Sequence, residues 1–291
     1  MEIPVSEIVT GRKCFFIAPD TSLMPVSFLE DFFSLGYECY YIGNDGRAKI
    51  QKKIESILSL FKDVILFINI DYEIPDLHWD DYIEDLILSK KASKDQFGIM
   101  FLRRQASAEK AHIENRYFKY LGLQRGFIQL EYQKKFNVEL IARALYNNQA
   151  QGRRKTIRAL CSSACTYKFF YEGNPVSGSL QDISLSHFTI LAKQEPLRVK
   201  LYEKILDIHF NIKGSFFHSD AILVMERAVG VGMLYVFAFV TPTGASGLDS
   251  RTKSLLVPVL YNMISSSCID LLEQYYSREE EKPHEEPIAK L

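Results

Sequence analysis

The sequence predicts an α/β half followed by an all-β half: a doubly wound parallel sheet, then a small β-barrel capped by a C-terminal helix. Three observations carry this expectation. Short apolar runs alternate with helical patterns over residues 1–146, short alternating strands followed by a helix occupy residues 159–276, and a polar then basic segment, 147–158, separates them.

Lys13–Ala18, Tyr37–Ile42, Asp63–Ile70, Phe97–Leu102 and Gly126–Leu130 are apolar or aromatic runs of the length of a strand buried in a parallel sheet. Helical patterns fall between them. Pro25–Leu35 gathers Phe28, Leu29, Phe32 and Phe33 on one face, and Arg47–Phe61 repeats Ile50, Ile54, Ile57, Leu58 and Phe61 at helical spacing. Asp80–Lys91, Ala108–Leu121 and Val138–Asn148 complete the set. Parallel neighbours need crossover helices that cover both sheet faces, which makes this a doubly wound layer.

Asn147-Asn148-Gln149-Ala150-Gln151-Gly152 reads as a flexible linker, with Arg153-Arg154-Lys155-Thr156-Ile157-Arg158 directly after it. Beyond this hinge, Ala164–Tyr171, Val176–Asp182, Phe188–Leu191, Ile205–Ile212 and Ala221–Val240 read as antiparallel strands, for which a barrel is the natural closure. Lys253–Tyr276 is helical in pattern, with Pro258 at a first-turn position or a kink. The tail 277–291, rich in Glu around two prolines, reads as disordered.

Composition excludes several function classes. Hydrophobic residues at 47% and charged residues at 24% describe a globular chain rather than a disordered one. A formal net charge of −1 leaves no global field for nucleic acid or anionic lipid, so any anion site must be local. Five cysteines without a second Cys or His pair at metal-finger spacing read as buried small hydrophobes, with no metal site. The first residues lack a basic flank and an apolar core, so the expectation is a cytoplasmic protein. Ala228–Val240 is too short to cross a bilayer and leads into Pro242 and Gly244, so no membrane insertion is expected.

Ligands of doubly wound sheets bind beyond the carboxyl ends of the strands. Those tips are thin here: Ala18-Pro19-Asp20, Asn69-Ile70-Asp71, Leu102-Arg103-Arg104 and Glu131-Tyr132-Gln133-Lys134. The half resembles a response-regulator receiver domain, of flavodoxin-like type, without its acid cluster or its hydroxyl position. The first turn has no glycine to admit a pyrophosphate. A non-catalytic sensing, docking or positioning role follows.

The hinge reads R-R-x-x-x-R through Arg153, Arg154 and Arg158, and Asp182-Ile183-Ser184-Leu185-Ser186-His187 follows after the first barrel strands. Hinge and barrel resemble the PilZ family of bacterial cyclic di-GMP receptors, whose signature pairs R-R-x-x-x-R with D/N-x-S-x-x-G. The resemblance covers about residues 150–275 and departs from the signature at His187, where the family has Gly. Guanidinium groups fork onto phosphate oxygens and stack on purines. The resemblance therefore implies that Arg154 and Arg158 take phosphates and guanines, that Arg153 reinforces them, and that Asp182 reads the guanine N1 and N2 hydrogens. Ser184 would add a hydroxyl contact. His187 would cost affinity if its position needed φ > 0, and would block the site if ligand and backbone met there.

The implied function is a cyclic di-GMP effector whose hinge wraps the ligand and changes interdomain orientation, acting through a protein partner, without DNA or RNA and without a cofactor. The alternative is a PilZ-like adaptor that binds protein without nucleotide. An enzyme is not expected: Ser250-Arg251-Thr252-Lys253 has the S-x-x-K spacing of serine acyl enzymes but none of its companion motifs.

Overall fold

The structure, a computed structural model, describes residues 5–103, 106–193, 196–230 and 232–280. Along the first half come α1 (Val5–Val9), β1 (Lys13–Ile17), α2 (Val26–Ser34), β2 (Cys39–Ile42), α3 (Ile50–Leu60), β3 (Val64–Asn69), α4 (Trp79–Leu88), β4 (Phe97–Leu102), α5 (Ser107–Ile113), β5 (Phe127–Leu130) and α6 (Lys134–Asn147). The second half holds β6 (Ala159–Leu160), β7 (Cys165–Tyr171), β8 (Asn174–Ser179), β9 (Asp182–Ile183), β10 (His187–Ala192), β11 (Lys204–Ile212), β12 (Ser215–Val229), β13 (Gly232–Val240) and α7 (Ser250–Glu280).

These elements form two compact units, and neither is a continuous stretch of chain. One comprises Val9–Val26, Cys39–Ala150 and Ser267–Leu291; the other comprises Met1–Ile8, Ser27–Glu38 and Gln151–Ser266. Helix α2 thus belongs with the second unit, and α7 gives its residues through Ser266 to the second and those from Ser267 to the first.

In the first unit the strands run parallel in the order β2-β1-β3-β4-β5, the reversal falling between β1 and β3. Every residue of β1 and of β3 is buried, as expected of central strands covered on both faces. Phe15 stacks on Tyr40 at 5.2 Å and tilts against Phe61 at 5.3 Å, and the same core takes in Ile54, Ile57, Ile83, Phe101 and, from α7, Cys268, Leu272 and Tyr276. Helix α5 continues into a π-helical stretch, Glu114–Tyr120, from which Arg116 bonds Asp80 at 2.7 Å, Asp81 at 2.9 Å and Glu84 at 3.2 Å on α4. At the strand tips Asp71 accepts the Leu102 amide at 2.6 Å, and Asp20 accepts the Ser22 amide at 2.7 Å.

In the second unit eight strands form one sheet in the order β6-β9-β10-β13-β12-β11-β7-β8. The run expected over Ala221–Val240 is a hairpin: β12 starts earlier, at Ser215, and turns back into β13 after a left-handed Gly230 at φ 56°. Val176–Asp182 likewise divides, between β8 and the two-residue β9. Phe188 anchors this core, stacked on Phe237 at 4.9 Å and edge-on to Phe210 at 5.0 Å.

Helix α7 opens on Asp249, whose carboxylate accepts the amides of Arg251 at 2.9 Å and Thr252 at 3.0 Å, so it begins earlier than its apolar pattern. Ser250 and Lys253 both lie exposed on that first turn. Pro258 is inside the helix, which runs on to Glu280; residues 277–280 of the expected tail are therefore helical, and 281–291 lie outside the described residues. Ser250–Tyr276 is long and apolar enough to cross a bilayer by length and composition. Leu256, Leu260, Met263, Cys268 and Leu272 are buried within the protein.

Candidate functional site

The segment expected to be a flexible linker begins as a packed helix end. Gln149 takes a left-handed φ of 50° after α6, its amide bonds the Tyr146 carbonyl at 2.9 Å, and the Ala150 amide reaches the Leu145 carbonyl at 2.9 Å. This is a Schellman closure with a glutamine where glycine is usual. Asn148 fixes it further, donating to the carbonyls of Ala144 at 2.8 Å and Arg125 at 3.0 Å, and Ala150 is buried.

The hinge proper starts at Gln151 and lies against the end of α2. Gly36, at φ 88°, terminates that helix, and a Cβ there would sit 2.6 Å from both Gln151 Nε2 and the Lys155 carbonyl oxygen. Only glycine lets the two backbones approach so closely. Arg153, Arg154 and Lys155 are exposed, whereas Thr156, Ile157 and Arg158 are half-buried.

Strand pairing brings the two halves of the motif together. β6 follows Arg158 at once and pairs antiparallel with β9, Leu160 opposite Asp182 and Ala159 opposite Ile183. Arg158 Nη1 consequently lies 3.6 Å from Asp182 Oδ2. Asp182 is buried, and its Oδ1 has no well-formed hydrogen bond among the described residues, with only the Thr189 hydroxyl close by. Burial pushes its carboxyl pKa above the usual aspartate value, while the Arg158 charge, the Thr189 hydroxyl and the Arg154 charge pull it back.

Ser184 and His187 bracket the β9–β10 turn. The Ser184 amide donates to the His187 carbonyl at 2.8 Å, and its hydroxyl donates to the same carbonyl at 3.1 Å while accepting the His187 amide at 3.1 Å. A hydroxyl offers one donor and two acceptor positions, and the Ser186 amide at 3.4 Å fills the last. Ser184 is thus a buried turn-former whose hydroxyl bonds within the turn and also meets Thr156 of the hinge at 3.5 Å.

The backbone cost considered for His187 does not arise. The residue is the first of β10, opposite Ala238 of β13, and it is absent from the positions of left-handed φ. Its half-buried imidazole points to the site: burial lowers its pKa, the Arg158 charge lowers it further, and Asp182 opposes both. Two residues at unspecified positions of the motif join the site. Thr156 of the hinge and Ser186 of the turn share a hydrogen bond of 2.7 Å, and no spacing rule in the sequence marks either.

A buried carboxylate with one oxygen beside Arg158 and the other without a well-formed hydrogen bond, next to an exposed basic hinge, suits an anionic ligand that also carries N–H donors. Over about 44% of its length the chain is similar to a PilZ-domain structure. That structure is the PilZ domain with c-di-GMP of YcgR from Escherichia coli, at 17% identity and a TM-score of 0.33, with 96% of its chain covered. MrkH of K. pneumonia in its apo state matches at 10% identity and a TM-score of 0.35, and the Bacillus subtilis inhibitor of motility MotI/DgrA at 9% and 0.29. The chain spans about half the length of these two, 52% and 55% respectively. No family model and no curated protein matches the sequence. Against the PilZ signature the chain keeps the three hinge arginines, Arg153, Arg154 and Arg158, with Asp182 and Ser184, and places an imidazole at the last position.

Proposed function

We propose that the chain is a bacterial, cytoplasmic effector that binds cyclic di-GMP where its basic hinge meets the β9–β10 turn, and that binding changes the orientation of a receiver-like α/β domain relative to a PilZ-like barrel. The observation that carries this reading is the buried Asp182, whose Oδ2 lies 3.6 Å from Arg158 and whose Oδ1 has no well-formed hydrogen bond among the described residues. A guanine presents N1–H and N2–H side by side, which answers that need. Arg154 and Arg158 supply phosphate contacts and stacking surface, and the exposed Arg153 adds charge at the same place. The role is binding and signalling without catalysis, passed on to a protein partner.

A specific observation favours the second reading, an adaptor without nucleotide: Arg158 and Asp182 already pair with each other, and the Ser184 hydroxyl is fully engaged. Isothermal titration of cyclic di-GMP separates the two. The expected affinity is micromolar, about −8 kcal/mol net. The expected outcome is wild-type binding that disappears in the Arg154→Ala/Arg158→Ala double variant. No heat from wild type would select the adaptor.

A further inference from the structure

Thr156 sits midway between Arg154 and Arg158, and it is the hinge side chain that reaches the turn. Its Oγ1 lies 2.7 Å from Ser186 Oγ, and Ser186 Oγ lies 2.8 Å from His187 Nδ1. Ser184 Oγ borders the same group, 3.5 Å from Thr156 Oγ1 and 3.4 Å from Ser186 Oγ. The far end is rigid. Ser186 gives its carbonyl to the Phe239 amide at 2.9 Å, and His187 is paired into β10, next to Phe188 of the aromatic core. A line of three polar side chains thus runs from the surface hinge to a fixed strand.

We propose that Thr156, Ser186 and His187 form a hydroxyl–imidazole relay that positions the arginine hinge over the β9–β10 turn, with Thr156 and Ser186 as positioning residues and His187 as their anchor. An uncharged imidazole accepts through Nδ1, Ser186 donates to it, and the Thr156 hydroxyl donates to Ser186 at 2.7 Å, with Ser184 a more distant acceptor at 3.5 Å. With glycine at position 187 the Ser186 hydroxyl would lose its fixed acceptor and rotate freely. The imidazole at the glycine position of the signature is therefore part of the binding apparatus and not an obstruction. Ordering the hinge before the ligand arrives reduces the conformational entropy that binding must remove.

The inference rests on the proposed cyclic di-GMP site, and two readouts keep the two ideas apart. The first needs no ligand: hydrogen–deuterium exchange across residues 153–158 in the free, full-length protein. Ser186→Ala, Thr156→Val and His187→Gly are each expected to speed exchange there about tenfold, the loss of one net hydrogen bond. Thr156→Ser should keep the wild-type rate, and peptides covering Phe188 and Phe237 should stay protected in every variant, which shows that the sheet has folded. Hinge exchange unchanged in Ser186→Ala and Thr156→Val overturns the relay. The second readout is titration with cyclic di-GMP, in which Ser186→Ala is expected to weaken affinity about tenfold at unchanged stoichiometry. Wild type that fails to bind removes the nucleotide reading and leaves the exchange result to decide the relay alone. Wild-type affinity retained in Ser186→Ala overturns the positioning role.

Discussion

Asp182 carries a charge in a place that disfavours charge, and the balance between burial and the nearby arginines sets its response to pH. Its folded-state pKa is raised, so on acidification it takes up a proton at higher pH than an exposed aspartate would. Protonation favours the folded chain but removes the acceptor that a guanine edge needs. Cyclic di-GMP affinity should therefore fall as pH drops through that raised value, beginning above the ordinary aspartate range. Asp182→Asn should bind weakly at neutral pH and show a flat profile. Identical pH slopes for both proteins would mean that Asp182 is not the titrating ligand group. His187, with its pKa shifted the other way, stays uncharged across neutral pH and adds no positive charge beside Arg158.

At the scale of elements, the α6 terminus shows how a helix end is closed without glycine. Gln149 holds a left-handed φ that costs a residue with a Cβ about 1–2 kcal/mol, and glycine would relieve it. Gln149→Gly should raise the melting temperature by about 2–4 °C, measured by thermal denaturation. A fall would show that the glutamine side chain contributes more than its backbone costs. This terminus also marks where sequence reading stops. The strands of the parallel sheet and the helices between them were legible, because strands such as β1 and β3 are buried along their whole length. The linker misled because Asn148 and Gln149 are polar, yet they spend that polarity on backbone groups. The β12–β13 hairpin turns at a Gly inside an apolar run, without the polar residues that usually announce a turn. Arginines, Asp182 and Ser184 stood out by spacing, whereas Thr156 and Ser186 meet only because β6 pairs with β9.

For the molecule as a whole, the proposed switch demands that a ligand held at the hinge alter the arrangement of the two units. Small-angle scattering of the full chain should change on saturation with cyclic di-GMP and stay constant for the Arg154→Ala/Arg158→Ala variant. Binding without any change in the wild-type profile would confine the effect to the site itself. The division of the chain has a second consequence, concerning time. The parallel sheet's core includes Cys268, Leu272 and Tyr276, and α2 belongs with the unit that begins in earnest at Gln151. During synthesis the sheet strands emerge well before those α7 residues, and α2 waits for its partners through more than a hundred intervening positions. The parallel-sheet core is therefore completed only once residues from Ser267 have been made, by which point every segment of the other unit already exists.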